Sequence, residues 1–316
     1  MSTHWQKLKP SDVASRDEIA RLRAKSDLKG AGLLLHAWAV IGFAAALYAV
    51  FPGFWTGLAA LLLVGGRQLG LAILMHDGSH GLLFRTRALN EHLTRWLAAA
   101  PMLIDMDAYR IHHMQHHRFT RTEKDPDEGL YAPFPVGRAS MARKLLRDIT
   151  GLTFLRVRFG ELMHHWRHQG PGEPAGRAAR MLRFYGPGLL VNALMAGAAM
   201  AAGRGDVYLV VWLLPFVTSY NLFLRVRNMA EHATVPDLGD PLRNSRTTLA
   251  GPVERALVAP YFVNFHIEHH LMPFVPCYHL PRLHRLMRER GYHDQMEIRP
   301  GYGDIIRLNA GRPEAA

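Results

Sequence analysis

The chain has 316 residues, 49% hydrophobic and 20% charged, and its 38 Lys and Arg outnumber 26 Asp and Glu to give a net charge of +12. This composition excludes a disordered chain and a collagen-like fibre, and Cys277 as the only cysteine excludes a disulfide scaffold. The positive charge would suggest nucleic acid in a soluble protein, but no nucleic-acid-binding motif accompanies it.

In chain order, Ser15 and Glu18 have capping-box spacing ahead of a short apolar face, Ile19 and Leu22, which predicts an interfacial or cytoplasmic helix. Charges crowd residues 16–29, which argues against a signal peptide. No charged residue then occurs from Ala31 to Gly66, from Phe184 to Gly203 or from Val207 to Leu224. Uncharged apolar runs of about 18 or more residues can cross a hydrocarbon core of roughly 30 Å as helices. Phe51-Pro52-Gly53 breaks the first run, giving one helix over about 31–50 and another from Phe54 toward Met75. Gly203 to Asp206 separates two later helices, about 185–203 and 207–224. Arg67 is expected near the membrane interface with its side chain snorkelling outward. The stretch from Trp96 to Ile104 is apolar but too short to span, and reads as re-entrant or interfacial.

The expected fold is an all-α integral membrane protein, with four transmembrane helices in two hairpins and a cytoplasmic helical histidine-rich cap. Both short turns then share one side, and the rest of the polar chain, with almost all Lys and Arg, shares the other. The positive-inside tendency makes that second side cytoplasmic, so the net charge faces anionic lipid. The chain divides into a cytoplasmic N-terminal segment 1–30, a membrane domain 31–286 and a cytoplasmic tail 287–316. A bacterial-type inner membrane with both termini cytoplasmic is the expected location.

Most of the 19 histidines fall into clusters at helical spacing. His76 and His80 are four apart; His112, His116 and His117 form HxxxHH; His266, His269 and His270 form HxxHH; and His232 stands four after Asn228. Residues three or four apart on a helix share a face, so each cluster can aim two or three imidazoles at one point. Imidazole suits Fe, Zn, Cu and Ni, and one ion seldom takes more than about four to six ligands, so nine such histidines point to two metals.

The three boxes, in this order and with a membrane hairpin before the last, resemble those of the membrane-bound fatty acid desaturase family. The resemblance runs from about Trp55 to Leu286 and includes Thr122-Glu123-Lys124-Asp125-Pro126-Asp127 after the second box. It implies two irons on the cytoplasmic side, with His76, His80, His112, His116, His117, His266, His269 and His270 as ligands. The Asn-x-x-x-His element resembles that of stearoyl-CoA desaturases, which adds His232 as a ligand and Asn228 as a contact through water. His113 falls off the ligand pattern and is expected behind the ligands or at the surface. His164, His165 and His168 are expected on an interfacial helix, and His36 in a packing role. Asp77, Glu231 and Glu268 stand beside ligands and are candidates to orient imidazoles through the second ring nitrogen.

No dinucleotide fingerprint, haem motif or iron–sulfur cysteine pattern is present, so electrons must come from a separate donor of ferredoxin or cytochrome type with its reductase. Arg282, Arg285, Arg288 and Arg290 form a basic stretch that could dock an acidic donor. The resemblance implies O2 as co-substrate and a membrane lipid or acyl thioester as substrate. Members that hydroxylate or make keto-carotenoids share the same boxes, and ligand spacing does not separate those outcomes. His270-Leu271-Met272-Pro273 and Tyr278-His279-Leu280-Pro281 look like the acyl-chain members. A metal transporter is disfavoured because the histidines lie outside the apolar runs, and a zinc hydrolase because no HExxH occurs.

Overall fold

The computed structural model describes residues 8–169 and 176–311, so the outermost residues of both expected polar ends lie outside the described residues. Helix α1 (Arg16–Leu22) starts on the expected capping box, with Ser15 Oγ accepting from the Glu18 N–H and the Glu18 carboxylate accepting from the Ser15 N–H at 2.8 Å. Next come α2 (Asp27–Val50) and α3 (Phe54–Ser79), then α4 (Met106–Phe119), α5 (Arg138–Ile149) and α6 (Leu152–Arg167). They are followed by α7 (Arg177–Ala201) and α8 (Gly205–His232), and then by α9 (His266–Leu271) and α10 (Leu280–Glu289). α2, α3, α7 and α8 are long and apolar enough to cross a membrane. α8 is not uniform: a π-helical turn covers Tyr208–Leu213 and the backbone kinks at Thr218. Among the described residues β-structure is confined to short pairings around β1 (Thr247–Thr248), which lies parallel to β2 (Ile298–Arg299).

α3 is the central element. Its residues from Val64 to Ser79 are all buried, whereas α2 exposes Leu35 and Phe43 and α7 exposes Leu189 and Leu194. Small residues let neighbours close on α3, as small residues do where helices pack within lipid. A Cβ on Gly66 would meet the Ala256 carbonyl oxygen at 2.3 Å, and one on Gly65 would meet Ser219 Oγ at 2.2 Å. Arg67 does not snorkel. It is 5% exposed, donates to the carbonyls of Arg255 (3.3 Å) and Ala256 (2.7 Å), and lies over the Tyr261 ring. The cation therefore satisfies buried backbone acceptors of a distant part of the chain instead of reaching for lipid headgroups.

α3 continues a full turn beyond the expected end near Met75, because its last carbonyls have side-chain partners from later in the chain. Asn90 Nδ2 donates to the Gly78 carbonyl at 2.8 Å, and Arg110 Nε donates to the Ser79 carbonyl at 2.8 Å. The stretch after Arg95 forms a π turn (Arg95–Ala99) and a 3-10 turn (Ala100–Met102). Ala98, Ala99, Ala100 and Met102 are buried within the protein. His36 takes a packing role, with Nδ1 at 3.1 Å from the Tyr261 hydroxyl.

Candidate metal centre

Four elements deliver histidines to one place. α3 ends on His76 and His80, α4 carries the second box, α8 ends at His232, and α9 carries His266, His269 and His270. Side-chain contacts hold three of these elements in place. Asp105 caps α4 by accepting from the Ala108 N–H at 2.8 Å. Arg110 ties α4 to α3 through Ser79 and is paired with Glu91 at 2.8 Å. Fully buried Arg246 donates to the carbonyls of Ala230 (3.2 Å) and Thr234 (3.0 Å), which satisfies acceptors at the C-terminus of α8 and sets the height of His232.

The side chains converge in two groups. Ring nitrogens of His76, His80, His113, His117 and His269 lie within 4.8 Å of one another, and so do those of His116, His232, His266 and His270. In the group of five, Nε2 of His113 is 3.0 Å from that of His80 and 2.9 Å from that of His117, which is 3.0 Å from that of His269. In the group of four, Nε2 of His232 and His266 are 2.9 Å apart, and those of His116 and His270 are 3.3 Å apart. The groups adjoin through the rings of His117 and His270, whose centroids are 4.5 Å apart.

Eight of the nine sequence-derived histidines are in these groups, and the ninth is placed elsewhere. His112 belongs to neither group; its side chain is 47% exposed and Nε2 contacts Asp127 Oδ1 at 2.8 Å. His113 takes its place, being 5% exposed and four residues from His117 on the same face. The reason lies in the loop after α4, which returns Asp127 over His112 and leaves His113 facing α3 and α9. The proton affinities follow the same division. Burial, with Arg110 nearby, pushes His80 down to about 4, and burial with the neighbouring imidazoles pushes His117 down to about 2. Burial also holds His113, His266, His269 and His270 well below the usual imidazole range, whereas the Asp127 contact raises His112. For the rings shifted down, burial favours the neutral form, the one that binds metal.

The ring protons can be assigned in part. His232 Nδ1 lies 3.1 Å from the Asn244 carbonyl, which only accepts, so Nδ1 donates and Nε2 carries a bare lone pair. His116 Nδ1 donates to Asp125 Oδ1 at 2.9 Å. Burial alone would raise Asp125, but hydrogen bonds from His116, Tyr131 and the N–H groups of Asp127 and Arg121 outweigh it and keep the carboxylate ionised. His266 Nδ1 faces Glu231 Oε1 at 3.3 Å. With Nδ1 donating to Asn244, His232 points its Nε2 lone pair at His266 Nε2 across 2.9 Å, an arrangement that a cation between the two rings makes favourable. Two nitrogens about 2.1 Å from one ion and at right angles stand about 3.0 Å apart. His76 Nε2 is buried without a hydrogen-bond partner. The residues present therefore fit metal ions in both groups.

Of the three acids expected beside imidazoles, Glu231 alone approaches one of these rings. Asp77 accepts from the Cys277 N–H at 3.2 Å, and Glu268 accepts from Thr247 and His284, both at 2.5 Å. Asp125, not singled out from the sequence as an orienting group, holds His116. Asn228 accepts from Arg227 at 3.1 Å and lines a cavity of about 670 Å³ that also reaches His76. Leu69, Ala72 and Ile73 of α3, Phe154 and Val157 of α6, and Tyr220 and Leu224 of α8 make its apolar wall. His164 and His165 line it with Arg158 and Glu161.

The family model for fatty acid desaturases matches residues 52–302. A dihydrorhizobitoxine desaturase of Bradyrhizobium elkanii is 27% identical over 290 residues, covering 87% of this chain and 80% of the relative. A beta-carotene ketolase of Paracoccus sp. (strain PC1) is 27% identical, covering 84% of this chain and 93% of the ketolase. An sn-1 oleoyl-lipid 12-desaturase of Picosynechococcus sp. is 25% identical over 81% of this chain and 76% of the relative.

Proposed function

The chain belongs to the fatty acid desaturase family and is an oxidoreductase, and from that premise we propose that it is an O2-dependent diiron desaturase acting on a long acyl chain. The reading rests on one observation: imidazoles aim their nitrogens into two groups, one of which, through His76, reaches an apolar cavity. In this proposal His76, His80, His113, His117 and His269 hold one iron, and His116, His232, His266 and His270 hold the other. Asn228, one turn before His232, contacts the second through water. Iron bound there supplies the reduction and activation of O2. The substrate gives up one hydrogen from each of two adjacent carbons, a separate carrier gives two electrons, solvent gives two protons, and O2 leaves as two waters.

The chain's own residues do the rest. The walls from α3, α6 and α8 hold a methylene segment beside His76 and keep bulk water from it. Asp125 and the Asn244 carbonyl hold protons at Nδ1 of His116 and His232, so that Nε2 of each stays bare. The cavity, about 670 Å³, is in the range of small-molecule sites. The four membrane-length helices form two hairpins in this proposal, with cap and termini on the cytoplasmic side of a bacterial-type inner membrane. Reporter fusions near residues 52 and 204 and at the C-terminus test that arrangement, and a cytoplasmic signal at 204 would remove the second hairpin.

A second reading has a specific support: the ketolase relative is as similar as the first desaturase and is covered more completely. One hydrogen abstraction followed by oxygen transfer would then give an alcohol, and a second round at the same carbon, with another O2 and two more electrons from the carrier, would give a ketone after loss of water. The deciding experiment expresses the chain under iron-replete conditions in a host of defined lipids, measures iron per chain, and profiles products by mass spectrometry. Two irons and a new alkene are expected. An oxygenated product without an alkene selects the second reading, and zinc without iron after an iron-loading trial removes both.

A further inference from the structure

The two histidine groups are held by different surroundings. Behind the group of four stand Asp125 on His116, Glu231 at 3.3 Å from His266 and paired also with Arg227, and the Asn244 carbonyl on His232. Behind the group of five, among the described residues, no carboxylate forms a hydrogen bond or ion pair with a ring. The two buried acids nearest to it in sequence are turned elsewhere, Asp77 to the Cys277 N–H and Glu268 to Thr247 and His284. Of the nine histidines only His76, a member of the group of five, lines the cavity.

A carboxylate that accepts the Nδ1 proton of an imidazole pushes electron density to Nε2 and makes it a stronger ligand. Resting on the dimetal reading above, we propose that the group of four is the high-affinity metal position, with Asp125 and Glu231 as the positioning residues that make it so. The group of five then binds its ion more weakly and, being the group that meets the cavity, faces the substrate. The electron-rich position retains its metal, and the electron-poor one meets the C–H bond. Repulsion between two nearby cations loads any such pair in two steps, so the existence of two steps carries no weight. Which residues control which step does.

The test titrates the metal-free full chain in detergent with Co2+, read by equilibrium dialysis and by the visible absorption of bound cobalt. Asp125→Asn keeps the size and one acceptor but removes the charge. It is expected to weaken the tighter step about 10–100-fold and shift its absorption bands, while leaving the weaker step within about threefold. His80→Gln is expected to delete the weaker step and spare the tighter one. If Asp125→Asn does not accumulate, Glu231→Gln carries the same expectation through His266. Equal weakening of both steps by Asp125→Asn, or loss of the tighter step in His80→Gln, overturns the assignment. Fewer than two cobalt ions per wild-type chain instead overturns the dimetal reading on which it rests.

Discussion

On α4 and on α6 histidines recur at the same helical spacing, and their surroundings could hardly differ more. His113, His116 and His117 meet rings from α3, α8 and α9, and each joins a group of at least four clustered ring nitrogens. His164 and His165 of α6, with His168 just past its end, meet one another and Phe184, whose ring centroid is 3.8 Å from that of His165. Among the described residues they join no metal-binding group. Helical periodicity decides which side chains share a face; only packing from distant parts of the chain decides whether other ligands wait opposite that face. The same contrast operates within α4, where adjacent residues His112 and His113 have opposite fates.

The sharpest way to break this comparison is a set of three substitutions. His113→Ala is expected to remove metal from the group of five and to cost more than the roughly 10–100-fold typical of losing a partner behind a metal ligand. His112→Ala leaves metal content unchanged, because an exposed ring paired with Asp127 is lost. His164→Ala also leaves metal content unchanged, and alters turnover only through the cavity wall. Iron content and turnover on detergent-purified protein check all three, and equal loss of iron in His112→Ala and His113→Ala would dissolve the distinction.

What could be read in advance follows from the range of the signal. Four apolar runs, three histidine boxes and the Asn228-x-x-x-His232 element are properties of short windows, so the membrane-length helices and eight of the nine grouped histidines were legible in them. The choice between His112 and His113 was not, since both stand at helical spacing from the following pair. It depends on where the loop brings Asp127 back. Arg67 looked like a snorkelling cation because the carbonyls that enclose it belong to Arg255 and Ala256, far along the chain. Asp125 lies nine residues after His116 in a loop with no periodicity, so only its place in Thr122-Glu123-Lys124-Asp125-Pro126-Asp127 marked it.

A smaller effect sharpens the comparison from the cavity side. Leu224 lines the cavity from α8 and belongs to neither histidine group, so Leu224→Trp adds bulk where the substrate chain is proposed to lie. The expected result is unchanged iron and a turnover lowered about 10–100-fold, the size of effect that misplacing a reacting segment by about an ångström produces. Overpacking costs about 1–3 kcal/mol of stability as well, so the measurement pairs turnover with thermal unfolding. Lost iron in this variant would mean that the wall and the metal centre are not separable.

The smallest expected effect concerns the basic helix α10, where partners again decide more than sequence proximity. Arg290, just past its end, donates to the Val13 carbonyl and pairs with Glu18 at 2.7 Å, so it secures α1 and leaves the proposed donor-docking set. Arg282, Arg285 and Arg288 are exposed, while Leu283 and Met287 bury the opposite face. An acidic ferredoxin docking there would be steered by charge, and rim charges act mainly on association rate. Turnover at limiting donor should therefore fall as salt rises, because screening shortens from about 10 Å at 0.1 M to about 3 Å at 1 M. Arg282→Glu with Arg285→Glu should raise the KM for the donor severalfold, flatten the salt dependence and leave kcat at saturating donor unchanged. Arg290→Glu should instead lower thermal stability by disturbing α1, with little change in the salt slope. A salt-independent wild type, or a double variant with an unaltered donor KM, would move the docking surface away from α10.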